Sequence, residues 1–144
     1  MGVEKIKLME LDLDIDLMLK KAADSKKSVE QLQAQVKKYS NGIKENQKLI
    51  KDNSSEMEIA NKAIVRMESQ YSRLTSEQKS NADVGGILLH QIEKQKQRYS
   101  ESKSMVETLT KSQESYRKQL ELQQSELRKE QKEYSALKRQ VDVV

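Results

Sequence analysis

The chain contains no cysteine, proline, tryptophan or phenylalanine, and only four glycines among 144 residues. Without cysteine there is no disulfide framework, no thiolate metal site and no thiol nucleophile, and the redox compartment is left open. Without the large aromatics that usually dominate burial, a wide interior is excluded: aromatics make up 3% of the residues and all five are tyrosine. No apolar run approaches the roughly 20 residues of a membrane span. The N-terminus carries no basic region followed by an unbroken apolar stretch, so a soluble chain without a signal peptide is expected. What remains is 35% charged and 35% hydrophobic residues, with Glu, Lys, Gln, Ser and Leu prominent. That composition fits long helices or a coiled coil and not a sandwich or barrel. Lys and Arg number 27 against 23 Asp and Glu. Read along the chain, the two signs are mixed and form no block, which favours solubility over nucleic-acid affinity.

Steps of seven residues bring out the organisation. From Leu8 they pass through Ile15, Ala22, Val29, Val36, Ile43, Ile50, Met57, Ile64 and Tyr71, all apolar. Three residues further on lie Leu11, Met18, Ser25, Leu32, Tyr39, Asn46, Asn53, Ala60, Met67 and Leu74, seven of them apolar. The two rows are the a and d positions of a heptad seam without a skip. A strict seven-residue repeat falls about 20° short of two ideal helical turns, so the stripe stays aligned only if the helix supercoils left-handedly about a partner.

The second half supplies that partner. Ile92, Tyr99, Val106, Gln113, Leu120, Leu127, Tyr134 and Val141 repeat every seven residues, and the companion row holds Leu88, Gln95, Ser102, Leu109, Tyr116, Gln123, Glu130, Leu137 and Val144. This row is only five-ninths apolar, which makes the second arm the weaker one. Between the arms, residues 80–86 include Asp83, Gly85 and Gly86 with Asn81, the one stretch that favours a turn and a new helix start. The predicted organisation is an acidic segment over 1–19, a first coiled-coil arm over 20–79, a turn over 80–86 and a second arm over 87–144. The fold class is all-α: a long antiparallel helical hairpin or coiled coil, with further association into a bundle left open. Gly42, Asn46, Asn53 and their neighbours predict a fray or hinge within residues 40–56.

Residues 11–19 alternate Leu11, Leu13, Ile15, Leu17 and Leu19 with Asp12, Asp14 and Asp16, which satisfies both strand and helix spacing. At the far end, Val141 to Val144 also admits a strand. The first 19 residues hold five acids against Lys5 and Lys7, and a basic surface could receive them.

Catalysis would need converging groups, and the chain offers a single His, no Gly-rich phosphate loop and no paired metal-ligand motif. His90 reads as a solvated rim residue. Asp12, Asp14 and Asp16 superficially suggest calcium ligands, but the sixth and twelfth positions hold Leu17 and Ala23 where an EF-hand needs Gly and Glu. No catalytic, cofactor or metal site is expected. Tyr39, Tyr71, Tyr99, Tyr116 and Tyr134 all lie on seam rows, so their rings should pack and not stack on bases. The polar seam residues Asn46, Asn53 and Gln113 fix register or admit water. The pairs Lys20-Lys21, Lys26-Lys27 and Lys37-Lys38 read as exposed mixed-charge helix face.

A resemblance enters at residues 67–92. A helix end reading Tyr71-Ser72-Arg73-Leu74-Thr75 leads to the polar stretch Glu77-Gln78-Lys79-Ser80-Asn81. A Val84-Gly85 turn and the restart Leu88-Leu89-His90-Gln91-Ile92 follow. Together these resemble a segment of the N-terminal regions of phage and prophage tail tape-measure proteins, and cover about 26 of 144 residues. The resemblance implies a helical structural protein inside the tail tube, whose length sets tube length and which contacts assembly chaperones, tube subunits and tail-tip proteins. Localisation would be the virion tail, or the host cytoplasm during assembly. Tape-measure proteins usually run to many hundreds of residues with an apolar region, so this chain would be a fragment or a short relative. The competing expectation is a helical-hairpin chaperone or stalk of a flagellar or injectisome type III export apparatus, and a generic coiled-coil scaffold is a third. Each implies helical protein partners and self-association, with no nucleic acid and no membrane span.

Overall fold

A computed structural model describes the backbone of residues 2–143 and the side chains of residues 14–142. It is an all-α helical hairpin, and no strand occurs among the described residues. Helix α1 spans Gly2–Ser72, a short α2 spans Ser76–Ser80, a single π-helical turn covers Ala82–Gly86, and α3 spans Ile87–Val143. The ambiguity over the N-terminal segment resolves to helix over residues 2–19, and Val141–Val143 is helical as well. The predicted fray over 40–56 does not interrupt α1. Asn53 Nδ2 donates to the Leu49 carbonyl at 2.8 Å along the helix.

The chain divides into two compact units. A terminal unit comprises residues 1–41 and 116–144, and a corner-proximal unit comprises residues 42–115. In each, a stretch of α1 pairs antiparallel with a stretch of α3. Within the terminal unit, Ser25 Oγ donates to Glu130 Oε2 at 3.2 Å and the Tyr39 and Tyr116 rings lie 6.0 Å apart at 50°. Passing from the first pair to the second moves fourteen residues forward on α1 and fourteen back on α3. Two full heptads on each helix therefore keep one register. In the corner-proximal unit, Gln113 Nε2 donates to the Ile43 carbonyl at 3.1 Å and Asn46 Nδ2 to Ser112 Oγ at 3.3 Å. Glu68 bridges Lys96 at 3.3 Å.

The corner is longer than the predicted turn, because α1 stops at Ser72 and not at residue 79. Its last turn tightens: the Arg73 amide donates to the Gln70 carbonyl and the Leu74 amide to Tyr71. Thr75 then adopts an extended conformation (φ −68°, ψ 163°) and caps α2. Its hydroxyl accepts from the Gln78 amide at 3.2 Å, while Gln78 Oε1 accepts from the Thr75 amide at 3.0 Å. This capping box satisfies two donors that a helix start would otherwise leave open. Asn81 next caps the π-helical turn, its Oδ1 accepting from the Asp83 amide at 2.8 Å.

Gly85 is needed here for close approach and not for a left-handed backbone, since no glycine has positive φ. It is buried, and a Cβ there would run into the Lys79 carbonyl oxygen and sit 2.7 Å from that residue's carbonyl carbon and Cα. At Gly86 a Cβ would meet nothing nearer than Ala82 Cβ at 3.7 Å.

Candidate interaction surface

Burial in a two-helix layer depends on angular position, so only side chains aimed at the partner leave water. Of the twenty apolar positions assigned to the seam, Ile92 is buried and the other nineteen are half-buried. Those nineteen are Val29, Leu32, Val36, Tyr39, Ile43, Ile50, Met57, Ile64, Met67 and Tyr71 on α1, and Tyr99, Val106, Leu109, Tyr116, Leu120, Leu127, Tyr134, Leu137 and Val141 on α3. Along α3, Ser112 is the one shielded residue from 87 to 142 that lies outside the two predicted rows. Leu8 and Leu11 lie outside the described side chains. At the corner, Gly85 is buried whereas Asp83 and Gly86 are exposed.

The buried residues divide sharply by chemistry. Ala60 and Ile92 are the buried apolar side chains, while Ser25, Asn46 and Gln113 are buried and polar. Each of the three polar groups bonds across to the other helix. Gln113 Oε1 has no hydrogen-bond partner, so this layer is held by its donor side alone. Asn53, expected to act across the seam, instead bonds along its own helix. Ser112 and Glu130 went unpredicted as crossing partners. Glu130 sits on the d row, which was a usable signal, whereas Ser112 sits one position off the a row and carried none.

The surrounding faces are polar. The tyrosine rings are half-buried, as their row positions imply, and Lys79 Nζ lies 5.3 Å from the Tyr71 ring centre. His90, Asp14 and Asp16 are exposed; Asp12 lies outside the described side chains. Among the described residues no group of His, Cys, Asp or Glu could hold a metal ion, and no helix is long and apolar enough to cross a membrane. At the corner Val84, Ile87 and Leu89 stand 40%, 51% and 43% exposed.

The flanks of the seam are chemically unequal. Letters follow the rows already used, with Ile43 and Ile92 at a and Asn46 and Leu88 at d. In the terminal unit, Ser28, Gln35, Glu126 and Glu133, all at g, line one groove together with Glu130. This places the g positions of both helices on one side of the seam and the e positions on the other. In the corner-proximal unit Glu68 and Lys96, both at e, meet directly. Comparison with family models, with curated proteins and with solved structures returns no match.

Proposed function

We propose that this chain is a non-catalytic structural protein, a helical assembly component of the tail tape-measure kind that works through coiled-coil contacts with other helical proteins. The observation supporting this reading is the uninterrupted heptad register. Shielded rows recur every seven residues on both helices, and each heptad adds about 10.5 Å of helix, so residue count translates into length. A left-handed supercoil accompanies that repeat. Tail tube, tail tip and chaperone proteins are the partners the reading supplies, with the virion tail or the assembling host cytoplasm as location.

The test uses a strain that carries the gene. Matched deletion of residues 51–57 and 99–105 removes one heptad from each arm and keeps the a and d phase. Released particles should then have tails shorter by about 10 Å on average, and disruption of the gene should abolish or scatter tail length. Tails of unchanged length in both strains would overturn the reading.

One observation favours a second reading, a hairpin chaperone or stalk of a type III export apparatus. The exposed Val84, Ile87 and Leu89 place apolar surface at the corner, where such a protein would present its recognition residues. Loss of export on converting these three to Ser, with tail length untouched, selects that alternative.

A further inference from the structure

Charge that is mixed along the chain is sorted around the helices. In the terminal unit, positions e and f between residues 19–41 and 117–139 carry eight cations and no carboxylate. Six of them lie toward the chain ends: Lys20, Lys26 and Lys27 on α1, and Lys132, Lys138 and Arg139 on α3, with Lys26 and Lys138 at e beside the seam. All six are exposed. The offset that joins Glu68 to Lys96 recurs six heptads toward the chain ends at Lys26 and Lys138. On that offset the sequence puts lysine at both positions where the other rung has a salt bridge, a pairing of like charge that an anion would neutralise.

The complementary charge is present in the same chain. On the outer b and c face of α3 in the corner-proximal unit, Glu93, Glu101, Glu107 and Glu114 accompany a single cation, Lys94. Carboxylates at 93, 107 and 114 and cations at 20 and 27 or 132 and 139 step by multiples of seven residues, about 10.5 Å per step. Helices laid side by side therefore share one seven-residue phase of opposite charge. Each patch also holds one large apolar side chain, Leu19 at 47% exposure beside the cations and Met105 at 48% one turn from Glu101.

We propose that the basic edge of the terminal unit docks on the acidic outer face of α3 in a second copy of this chain, giving a staggered lateral association set by charge. It rests on the assembly reading above and names the partner as the chain itself. A second copy is favoured over nucleic acid because the tyrosines are all committed to the seam, which leaves no aromatic on the basic edge for base stacking, and because the acidic face repeats with the same period.

Sedimentation equilibrium of the full chain tests it, together with two charge-reversed variants, K26E/K27E/R139E and E93K/E101K/E107K. Wild type should associate at low salt and weaken about tenfold or more in about 0.5 M salt, where exposed charges more than about 4 Å apart are screened. Each variant alone should be monomeric, and the two mixed should associate again. A wild type monomeric at every concentration in low salt overturns the proposal, as does association indifferent to salt and to both reversals. Retardation of duplex DNA by wild type and not by K26E/K27E/R139E, with no self-association, overturns it in favour of nucleic acid. Circular dichroism should show both variants as helical as wild type, so that lost pairing is not lost folding; wild type that never pairs while the heptad deletion still shortens tails removes only the lateral contact, whereas salt-dependent pairing with tails of unchanged length removes the tape-measure role.

Discussion

In the corner-proximal unit the heptad rows bury two apolar side chains, Ala60 and Ile92, beside two polar ones, Asn46 and Gln113, whereas in the terminal unit the buried residue is Ser25, hydrogen-bonded to the half-buried Glu130. The same two helices supply both units, so the difference lies in which residues occupy the rows. One region combines apolar and polar layers next to a capped corner; the other has a hydroxyl–carboxylate layer and cations along one edge. The corner-proximal unit should therefore hold most of the intrinsic stability, and the terminal unit should be the region whose order depends on what binds it.

The sharpest way to break that comparison is one substitution made once in each unit. Ile92→Asp puts a carboxylate into a site only 5% exposed and should cost about 4 kcal/mol, from lost apolar burial plus desolvation. Leu127→Asp, on the same row of α3 but half-buried in the terminal unit, should cost about half as much. Urea denaturation followed by circular dichroism measures both, and equal losses would mean that stability is spread evenly.

The corner allows a second contrast. Gly85→Ala drives a methyl into the Lys79 backbone, and relief requires the corner itself to shift, at about 2 to 3 kcal/mol. Gly86→Ala meets only ordinary contact and removes freedom from the unfolded chain, so it should stabilise by about 0.5 kcal/mol. The opposite signs are the outcome to look for in a thermal melt. If both variants behave alike, the tight approach at Gly85 is not what forms the corner.

Polar layers offer a subtler test, because stability and register should move in opposite directions. Asn46→Leu with Gln113→Leu removes two buried polar side chains, one with an unpaired oxygen, and should stabilise the corner-proximal unit by about 1 to 2 kcal/mol. It also removes the groups that distinguish one heptad alignment from the next. Spin labels at the exposed positions 44 and 111 should then report a broader distance distribution. A distribution as narrow as in the parent would show that apolar packing alone sets the register.

How much of this was readable in advance follows from the geometry of each feature. The rows at Ile50, Ile64, Leu120 and Leu127 were legible because, between two helices, shielding depends on one angular coordinate that a seven-residue count reports directly. The corner begins at residue 73, ahead of the glycines that signal it. Residues 73–79 continue the polar composition of the arm, and the decisive signal, Thr75 followed by Gln78, is a hydrogen-bond pair and not a change in hydropathy. The fray or hinge expected over residues 40–56 does not break α1, since one glycine costs only about 1 kcal/mol, and the boundary between the two compact units falls between Asn41 and Gly42. Charge sorting was invisible for a different reason. Positions e and f are interleaved with b, c and g in linear order, so Lys26 and Lys27 stand between Asp24 and Glu30 in the chain while projecting from a face without acids. The mixed-sign reading was correct along the chain and uninformative about its faces.

The smallest expected effect isolates that face within a single molecule. Lys138→Glu converts the like-charge rung with Lys26 into the equivalent of Glu68–Lys96, whose charged groups lie 3.3 Å apart. Both groups are exposed, so the new bridge should add only about 0.3 to 0.5 kcal/mol at low salt, measured below the concentration at which copies pair, and nothing in high salt. The control is Lys26→Glu alone, which offers Lys138 the same bridge with the charges exchanged and should match it in size. Paired with Lys138→Glu, it restores a like-charge rung and should cancel the gain. A double variant as stable as either single one would show that Lys26 and Lys138 do not face each other, and would remove the repulsion from which the basic edge acquires its need for a partner.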